Sequence, residues 1–365
     1  MGTRTGKSED SNTGSWRLST EPPRPPIGQT GLEGYLAAMK ETAHKVVSLG
    51  TLPGWFIERY LEGFETVVIG DSSRKELDSH LDASVVALIA RGSLPIGEDI
   101  LQAAPSLRAI GRTGVGFDSI DVAAASARHI PVLFTPGAMT EAVAEHTLAM
   151  ILSLCKDLSG WKARVLAGDW QSRYTRRNLD LKGARVGIVG CGRIGSRVWR
   201  LLKSFGALGL INDPYIDPEP LLREGVGVVS LEELLQHSDI VTLHTPLTDE
   251  TRSLVNRSSI SLFRPGALLI NAARGKLVES YDLLLEALES GRLGGVALDT
   301  LIEEPPDPSH PLFRHPGLLL SAHVAARTNR AQESILCTLG EDLRAVLEGK
   351  PPRKENVVNP EILRE

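Results

Sequence analysis

Apolar residues along this chain are grouped in short runs, and the segments between the runs have the spacing of amphipathic helices. The first series of runs predicts buried strands at 45–49, 65–69, 85–89, 107–110 and 131–133. Segments rich in helix formers separate these strands, at 54–62, 73–80, 97–104 and 121–128. Because a parallel connection needs roughly a dozen residues, this alternation predicts βαβ units in a parallel sheet.

A second alternating series follows a long helical segment, which is predicted from Thr140 to about Leu166. Its strands are predicted at 185–189, 208–211, 239–243, 267–271, 294–298 and 317–320. Its helices are predicted at 193–204, 231–236, 256–262 and 279–289, with a last helix after about residue 326. The two series predict an α/β fold of two Rossmann-like, doubly wound parallel-sheet domains with a cleft between them.

The composition is that of a globular protein and narrows the class of function. Of 365 residues, 42% are hydrophobic and 23% charged, and the net charge of −5 gives no electrostatic footprint for nucleic acid. No apolar run reaches the roughly 18 residues of a membrane span. The three cysteines are far apart, so neither a disulfide framework nor a metal site is expected. Residues 1–43 are polar and proline-rich, and we expect a poorly ordered tail with a short helix at 32–41.

A glycine-rich fingerprint lies between a predicted strand and a predicted helix, in the sequence Gly190-Cys191-Gly192-Arg193-Ile194-Gly195. Gly190 permits the tight turn, Gly192 lets the backbone approach a pyrophosphate, and Gly195 allows the helix to pack on the strand. The diphosphate is expected on the N–H groups at the start of the helix, near Arg193 and Ile194.

An acid ends the strand that follows the fingerprint helix. Asp213 is in the position to accept hydrogen bonds from the hydroxyls of the adenosine ribose. Because a carboxylate there repels a 2′-phosphate, the sequence favours NAD over NADP as the cofactor. The alternative is that Asp213 is an ordinary turn residue before Pro214.

Three polar residues follow predicted strands of the second series at their carboxyl ends: Arg274, Glu304 and His323. Ligands of an open α/β sheet bind beyond those ends. An Arg is able to grip a carboxylate and polarise the neighbouring carbonyl of a 2-keto acid. A His is able to donate the proton as hydride arrives, and a carboxylate beside it stabilises its protonated form. Each residue alone has a plainer explanation as a solvated loop residue.

These residues and several further motifs together resemble those of the D-isomer-specific 2-hydroxyacid dehydrogenases, a family that includes phosphoglycerate and hydroxypyruvate/glyoxylate dehydrogenases. The resemblance runs from about residue 45 to 357 and covers the segments 111–121, 135–137, 141–147, 190–195, 244–251, 271–275, 298–305 and 321–323. It implies that Arg274 is the catalytic arginine and that His323 is the acid/base. Glu304 is the implied partner of the His, and Glu303 is its nearest rival for that role.

The resemblance also implies sites for cofactor and substrate. NAD contacts are implied at Gly190, Gly192, Arg193, Ile194, Gly195, Asp213, Thr245, Pro246, Thr251, Ala272, Arg274, Asp299 and His323, with Asp299 against the nicotinamide amide. Substrate contacts are implied at Arg91, Gly92, Ser93, Arg112, Gly114, Val115, Gly116 and Arg274. His146, by contrast, lies inside the predicted long helix and is expected to make a structural hydrogen bond.

The implied organisation is a substrate domain of residues 44–140 with 325–358, and an NAD-binding Rossmann domain of residues 141–324 inserted in it. The implied activity is NAD-dependent interconversion of a 2-keto acid and a D-2-hydroxy acid in the cytoplasm, with a small-molecule substrate and neither nucleic acid nor membrane as partner. The apolar face of the predicted long helix indicates a homodimer through the NAD domain.

Two questions stay open at this point. Arg91 and Arg112 decide whether the far end of the substrate is an anion, and Phe134 and Met139 stand where many relatives have more polar residues. Because arginines in loops are more often solvated than buried, and because Phe134 and Met139 make the pocket wall more apolar, we expect small or moderately apolar 2-keto acids rather than phosphorylated ones. A rival function is a non-catalytic NAD(H)-sensing scaffold, similar to the C-terminal-binding-protein corepressors, and another is oxidation of formate or phosphite on the same fold.

Overall fold

The computed structural model describes residues 44–70, 73–92 and 94–363. These residues form two units: one contains the described residues up to Thr135 and those from Leu336 onward, and the other is Pro136–Ile335. Each unit is built on its own sheet. The expected tail at 1–43, with its helix at 32–41, lies outside the described residues.

The first unit contains a five-stranded sheet in the order β2-β1-β3-β4-β5, and every pair in it is parallel. The strands are β1 (Lys45–Leu49), β2 (Glu65–Ile69), β3 (Val85–Ala90), β4 (Ala109–Arg112) and β5 (Val132–Leu133). The helices are α1 (Gly54–Tyr60), α2 (Arg74–Asp78), α3 (Glu98–Ala103) and α4 (Val122–Ala127). All six residues of β3 are buried, as expected for a central strand covered on both faces.

The second unit contains a seven-stranded parallel sheet in the order β12-β11-β10-β9-β6-β7-β8. Its strands are β6 (Arg185–Val189), β7 (Leu208–Asn212), β8 (Gly227–Val228), β9 (Ile240–Leu243), β10 (Ala267–Asn271), β11 (Leu293–Leu298) and β12 (Leu318–Leu320). Its helices are α5 (Thr140–Cys155), α6 (Leu158–Leu166), α7 (Arg193–Ser204), α8 (Glu219–Arg223), α9 (Leu231–His237), α10 (Arg257–Leu262) and α11 (Tyr281–Glu289). The predicted fold class of two parallel-sheet α/β domains is therefore confirmed.

The prediction of one continuous helix from Thr140 to Leu166 is wrong, because the chain breaks between α5 and α6. Asp157 has a φ of 46°, in the left-handed region where helices of L-residues do not continue. The carboxylate of Asp157 accepts a hydrogen bond from Nη1 of Arg164, seven residues later in the chain, at 2.7 Å. A Cβ at Gly160 would lie 2.2 Å from the carboxylate of Asp157, so the glycine leaves room for this turn.

The last helix, α12 (Asn329–Leu347), begins in the second unit and continues into the first. Its residues Leu339 and Leu343 are buried in the core beside β1, β3 and β4. A Cβ at Gly111 in β4 would lie 2.8 Å from a methyl group of Leu339, so the glycine permits this close packing. None of the described helices, α12 included, is long and apolar enough to cross a membrane.

Candidate active site

Five of the predicted cofactor and catalytic residues lie in segments that follow strands of the seven-stranded sheet. Gly190 follows β6, Asp213 follows β7, and Arg274, Glu304 and His323 come after β10, β11 and β12 in turn. Because these strands are parallel, their carboxyl ends lie at one edge of the sheet. The second unit therefore brings five predicted residues to the edge where open α/β sheets bind ligands.

The three glycines of the fingerprint differ in what surrounds them. Gly190 has a φ of 90°, and a Cβ there would lie 2.9 Å from the backbone nitrogen of Thr245. A Cβ at Gly195 would lie 2.0 Å from the carbonyl oxygen of Gly190. Around Gly192, in contrast, a Cβ would meet nothing within 4 Å. The first and third glycines therefore serve the packing of the chain itself, and the second leaves open space at the start of α7, as a pyrophosphate requires.

Asp213 is fixed beside this turn by two backbone donors. Its Oδ2 accepts a hydrogen bond from the N–H of Cys191 at 2.8 Å, and its Oδ1 accepts one from Tyr215 at 3.0 Å. The acid is thus anchored to the glycine loop and is more than a residue that caps the turn before Pro214. Its carboxylate is half-buried and retains acceptor capacity, so it fits a dinucleotide, and the ribose contact stays a prediction.

The segment after β9 lies against the fingerprint. The hydroxyl of Thr251 donates to the carbonyl of Pro246 at 2.6 Å and accepts from the N–H of Thr248 at 2.8 Å, which closes a tight loop. The hydroxyl of Thr245 is buried and has no hydrogen-bond partner within the described part of the chain. A buried hydroxyl beside Gly190 without a partner is what a polar ligand would satisfy, so the residues present fit NAD.

His244, which precedes this segment, is not suited to proton transfer. Its Nε2 lies 3.0 Å from the hydroxyl of Thr242. Burial lowers the pKa of His244 to about 4, because the charged imidazolium is penalised away from water. The ring is therefore neutral near pH 7 and lacks the proton that a general acid would give.

His323 and Glu304 form a hydrogen-bonded pair. The Nδ1 of His323 lies 2.8 Å from Oε2 of Glu304, and the other carboxylate oxygen accepts from the N–H of Leu301 at 3.0 Å. The N–H of His323 donates to the carbonyl of Asp299 at 2.7 Å, with the residue at a φ of 52°. The backbone of the His is therefore fixed in a conformation that L-residues rarely adopt.

The charge of the Glu304 carboxylate determines which ring nitrogen of His323 carries a hydrogen. Burial acts to raise the pKa of Glu304, but hydrogen bonds from His323 and Leu301 and the charge of Arg274 outweigh it and lower the pKa. An ionised carboxylate only accepts, so Nδ1 of the ring carries hydrogen and Nε2 is left for a ligand. The acid bonded to the ring is Glu304, and the neighbouring Glu303 is not its hydrogen-bond partner.

Asp299 is buried and its carboxylate binds the loop that carries the His. Oδ1 accepts from the hydroxyl of Ser321 at 2.6 Å and from the N–H of Val324 at 2.9 Å, and Oδ2 accepts from Ala325 at 3.1 Å. His146 of α5 adds to this network, with Nε2 at 3.0 Å from the hydroxyl of Ser321. Asp299 thus orients the loop 321–325, and its expected contact with the nicotinamide amide stays a prediction.

The loop that carries Arg274 is shaped by a buried asparagine. Asn271 Nδ2 donates to the carbonyl of Arg274 at 2.8 Å, and its Oδ1 accepts from the N–H of Ala273 at 3.1 Å. The guanidinium of Arg274 donates to the carbonyl of Ala273 at 2.7 Å. Ala272 lies inside this turn, and its expected contact with the cofactor stays a prediction.

The residues predicted to contact the far end of the substrate belong to the first unit. Arg112 Nε donates to the carbonyl of Gly116 and Nη1 to that of Gly92, both at 2.6 Å, which joins the loops after β3 and β4. Arg91 donates to the carbonyl of Thr51. Gly114 has a φ of 134° and its carbonyl accepts from Thr135. Val115 lies in the same loop, and Ser93 lies outside the described residues.

Sequence reasoning missed the side chains that support these loops. Asn271 and Ser321 both stand inside the recognised motifs, three residues before Arg274 and two before His323, so their position was a usable signal. The sequence predicted that His146 makes a structural hydrogen bond, but nothing in the sequence indicated Ser321 as the partner of His146. No cluster of His, Cys, Asp and Glu able to hold a metal ion occurs among the described residues.

Comparison with known proteins assigns the family. Residues 148–325 match the family model described as "D-isomer specific 2-hydroxyacid dehydrogenase, NAD binding domain". The glyoxylate reductase of Aeropyrum pernix is 38% identical over 272 residues, which cover 73% of this chain and 80% of that protein. The chain therefore belongs to the D-isomer-specific 2-hydroxyacid dehydrogenase family, and the prediction of NAD as its cofactor is confirmed by the family's domain.

Two further matches define the extent of the similarity. The D-3-phosphoglycerate dehydrogenase of Archaeoglobus fulgidus is 34% identical over 297 residues, which cover 81% of this chain and 55% of that protein. The chain thus spans about half the length of the phosphoglycerate dehydrogenases it matches. Among solved structures, the TT0316 protein of Thermus thermophilus aligns with a TM-score of 0.77 and 34% identity, over 86% of this chain and 99% of that one.

Proposed function

We propose that the protein is an NAD-dependent oxidoreductase that interconverts a 2-keto acid and a D-2-hydroxy acid. The observation that carries this proposal is the 2.8 Å hydrogen bond between His323 and Glu304, at the sheet edge that also bears Arg274 and the NAD fingerprint. The pair is the acid/base device that reduction of a carbonyl needs, and a protein that only senses NAD(H) has no use for it.

The roles of the residues follow from their chemistry. NAD supplies the acceptor of the hydride in one direction and, as NADH, its donor in the other. Arg274 binds the carboxylate of the substrate and polarises the adjacent carbonyl. His323 gives a proton from Nε2 to the carbonyl oxygen in reduction and takes it back in oxidation. Glu304 accepts the hydrogen of Nδ1, which fixes the orientation of the ring and stabilises its charged form.

The cofactor is held, in this proposal, by the glycine turn, by Asp213 on the ribose and by the loop from Thr245 to Thr251. The open space at Gly192 and the buried hydroxyl of Thr245 support this placement. Asp213 gives the preference for NAD over NADP, because its negative charge would face the 2′-phosphate.

We propose a small or moderately apolar 2-keto acid as the substrate. The guanidinium groups of Arg91 and Arg112 already donate to backbone carbonyls of neighbouring loops, so their first role is to shape those loops. Phe134 packs edge-to-face on Phe117, with ring centroids 6.1 Å apart, at the end of β5. An aromatic pair beside the loop 114–116 favours an apolar group over a phosphate.

The same proposal includes a homodimer formed through the NAD-binding domain, with domain limits at 44–140 plus 325–358 and at 141–324. α6 has no buried residue, and large apolar side chains on and after it are exposed, among them Leu166 and Trp170. Such a surface is typical of a protein–protein interface.

We also propose a cytoplasmic location, which agrees with three free thiols at Cys155, Cys191 and Cys337.

The test is the oxidation of NADH with a panel of 2-keto acids. We expect activity with glyoxylate, hydroxypyruvate or a short aliphatic keto acid, and a kcat/KM at least ~10-fold lower for 3-phosphohydroxypyruvate. His323→Gln is expected to lower kcat by ~10²–10⁴ with little effect on the Kd for NADH. His237→Gln, an exposed His at the end of α9, is the matched control. Absence of turnover with every acid, or an unchanged kcat in His323→Gln, would contradict the proposal.

A further inference from the structure

A tyrosine outside the family motifs contacts the loop that carries Glu304. Tyr281 is the first residue of α11, and its hydroxyl oxygen accepts hydrogen bonds from the N–H groups of Ile302 at 3.0 Å and Glu303 at 3.4 Å. Glu304 comes next in the chain, and one of its carboxylate oxygens accepts from the N–H of Leu301. Three successive N–H groups before Glu304 are therefore all bound by side-chain oxygens, two of them by the phenol.

The segment that leads to Glu304 is also packed against the loop that carries Arg274. A Cβ at Gly275 would lie 1.9 Å from the carbonyl oxygen of Leu301 and 2.4 Å from the nitrogen of Ile302. The segment 301–302 thus packs directly on the residue that follows Arg274. A shift of this segment would change the position of Glu304 relative to both His323 and Arg274.

The phenol is itself fixed by a cluster of rings. The ring of Tyr281 lies 5.4 Å from that of His310 and 5.1 Å from that of Phe313, centroid to centroid. Nε2 of His310 lies 3.2 Å from Oδ1 of Asp282, the residue after the tyrosine. Burial, the largest influence, raises the pKa of Tyr281, so the oxygen stays a neutral hydroxyl. A phenylalanine would keep this packing and lose only the acceptor of the two N–H groups.

We propose that Tyr281 is a positioning residue of the active site: its hydroxyl, by accepting from Ile302 and Glu303, holds the loop that sets Glu304 against His323. The inference rests on the proposed function, because it assigns Tyr281 a role through the His–Glu pair. In this proposal, the tyrosine makes no contact with substrate and takes no part in proton transfer. It acts only by where it keeps the carboxylate, and misplacement by about 1 Å costs up to ~10²-fold in rate.

The test is a double-mutant cycle on the whole 365-residue chain with Tyr281→Phe and Glu304→Gln. We expect Tyr281→Phe to lower kcat by about 5- to 50-fold, with the KM for NADH within 2-fold of wild type. In the Glu304→Gln background, the same substitution is expected to change kcat by less than about 2-fold, since the carboxylate it positions is gone. An effect of equal size in both backgrounds, or no effect in either, overturns the inference.

A matched control separates the hydroxyl from the packing. Phe313→Leu loosens the same ring cluster and leaves the hydroxyl in place, so we expect a lower Tm and a kcat within about 2-fold of wild type. If Phe313→Leu lowers kcat as much as Tyr281→Phe does, the effect belongs to the fold of the cluster and the inference is overturned.

Amide hydrogen exchange of the segment 299–306, measured without substrate, does not depend on activity. We expect Ile302 and Glu303 to exchange at least ~5-fold faster in Tyr281→Phe than in wild type or Phe313→Leu. Equal exchange overturns the inference whatever the kinetics. A kcat unaffected by Glu304→Gln alone would instead contradict the role that the proposed function gives to Glu304, and with it any positioning role for Tyr281.

Discussion

The fingerprint glycines offer a test of cofactor binding that needs no knowledge of the substrate. Gly192→Ala adds a methyl group where the protein itself leaves open space, at a backbone φ of −70° that alanine tolerates. Gly195→Ala adds the same group 2.0 Å from the carbonyl oxygen of Gly190. One substitution therefore obstructs only a ligand, while the other obstructs the chain.

The expected magnitudes follow from these distances. At Gly195 the backbone must move by more than ~1 Å to reach van der Waals contact, which costs roughly 1–3 kcal/mol or more and lowers Tm by roughly 3–10 °C. At Gly192 the free energy of unfolding should stay within about 0.5 kcal/mol of wild type. The methyl group at 192 should raise the Kd for NADH by ~10- to 100-fold, or about 1.4–2.7 kcal/mol, because the diphosphate approaches the backbone there.

The measurements are a thermal melt without ligand and a fluorescence titration with NADH, for both variants and for a control. Gly70→Ala is the matched control, since a Cβ at Gly70 meets nothing within 4 Å and lies outside the fingerprint. If Gly192→Ala binds NADH as tightly as wild type, the open space beside Gly192 is not the place of the cofactor's diphosphate. Gly192→Ala that melts as low as Gly195→Ala would refute the distinction between the two glycines.

Three other outcomes are expected. Asp213→Ser should reduce the preference for NADH over NADPH in Kd by at least ~10-fold, and an unaltered ratio would exclude the ribose contact. The pKa of His244 near 4 lies below its ordinary 6.5, so stability is lost as the pH falls through that window. His244→Gln should spare up to about 2–3 kcal/mol of that loss between pH 7 and 4.5 in urea unfolding; equal losses would count against a ring that is neutral at pH 7. Leu166→Glu should turn a dimer into a monomer by light scattering, and a wild-type monomer would end the dimer proposal.

The sequence predicted β6 and β10 at their observed bounds and β3 to within one residue, and it also predicted the edge strand β2 at its observed bounds although only one residue of that strand is buried. β3 is a continuous apolar run, and β6 and β10 depart from one only at Arg185 and Asn271, because central strands of a parallel sheet contact helices on each side. β8 was missed, because it has only two residues and one of them is Gly227, a residue type that is depleted in strands. The break at Asp157 was missed for another reason: the apolar spacing of α5 continues into α6, and the turn depends on a contact between Asp157 and Arg164.

The position of the candidate catalytic residues at one sheet edge was predictable because parallel topology fixes where strands end, so any polar residue after a strand becomes a candidate. Their mutual geometry was not. The family resemblance favoured Glu304 over Glu303, but only the path of the loop shows which carboxylate meets the His. Tyr281 had no signal at all, since its contact with Ile302 joins two segments that are adjacent only after the sheet has formed.

The geometry of the His–Glu pair must come from its surroundings. Both side chains are about half exposed, and an exposed ion pair contributes only ~0–1 kcal/mol, too little to hold a 2.8 Å contact by itself. The stretch from Asp299 to Glu304 supplies the anchors: its first residue binds the backbone of the His loop, and its last binds the ring of His323. Since one short stretch after β11 fixes both partners, substitutions within it should alter catalysis more than substitutions of equally exposed residues elsewhere on this sheet edge.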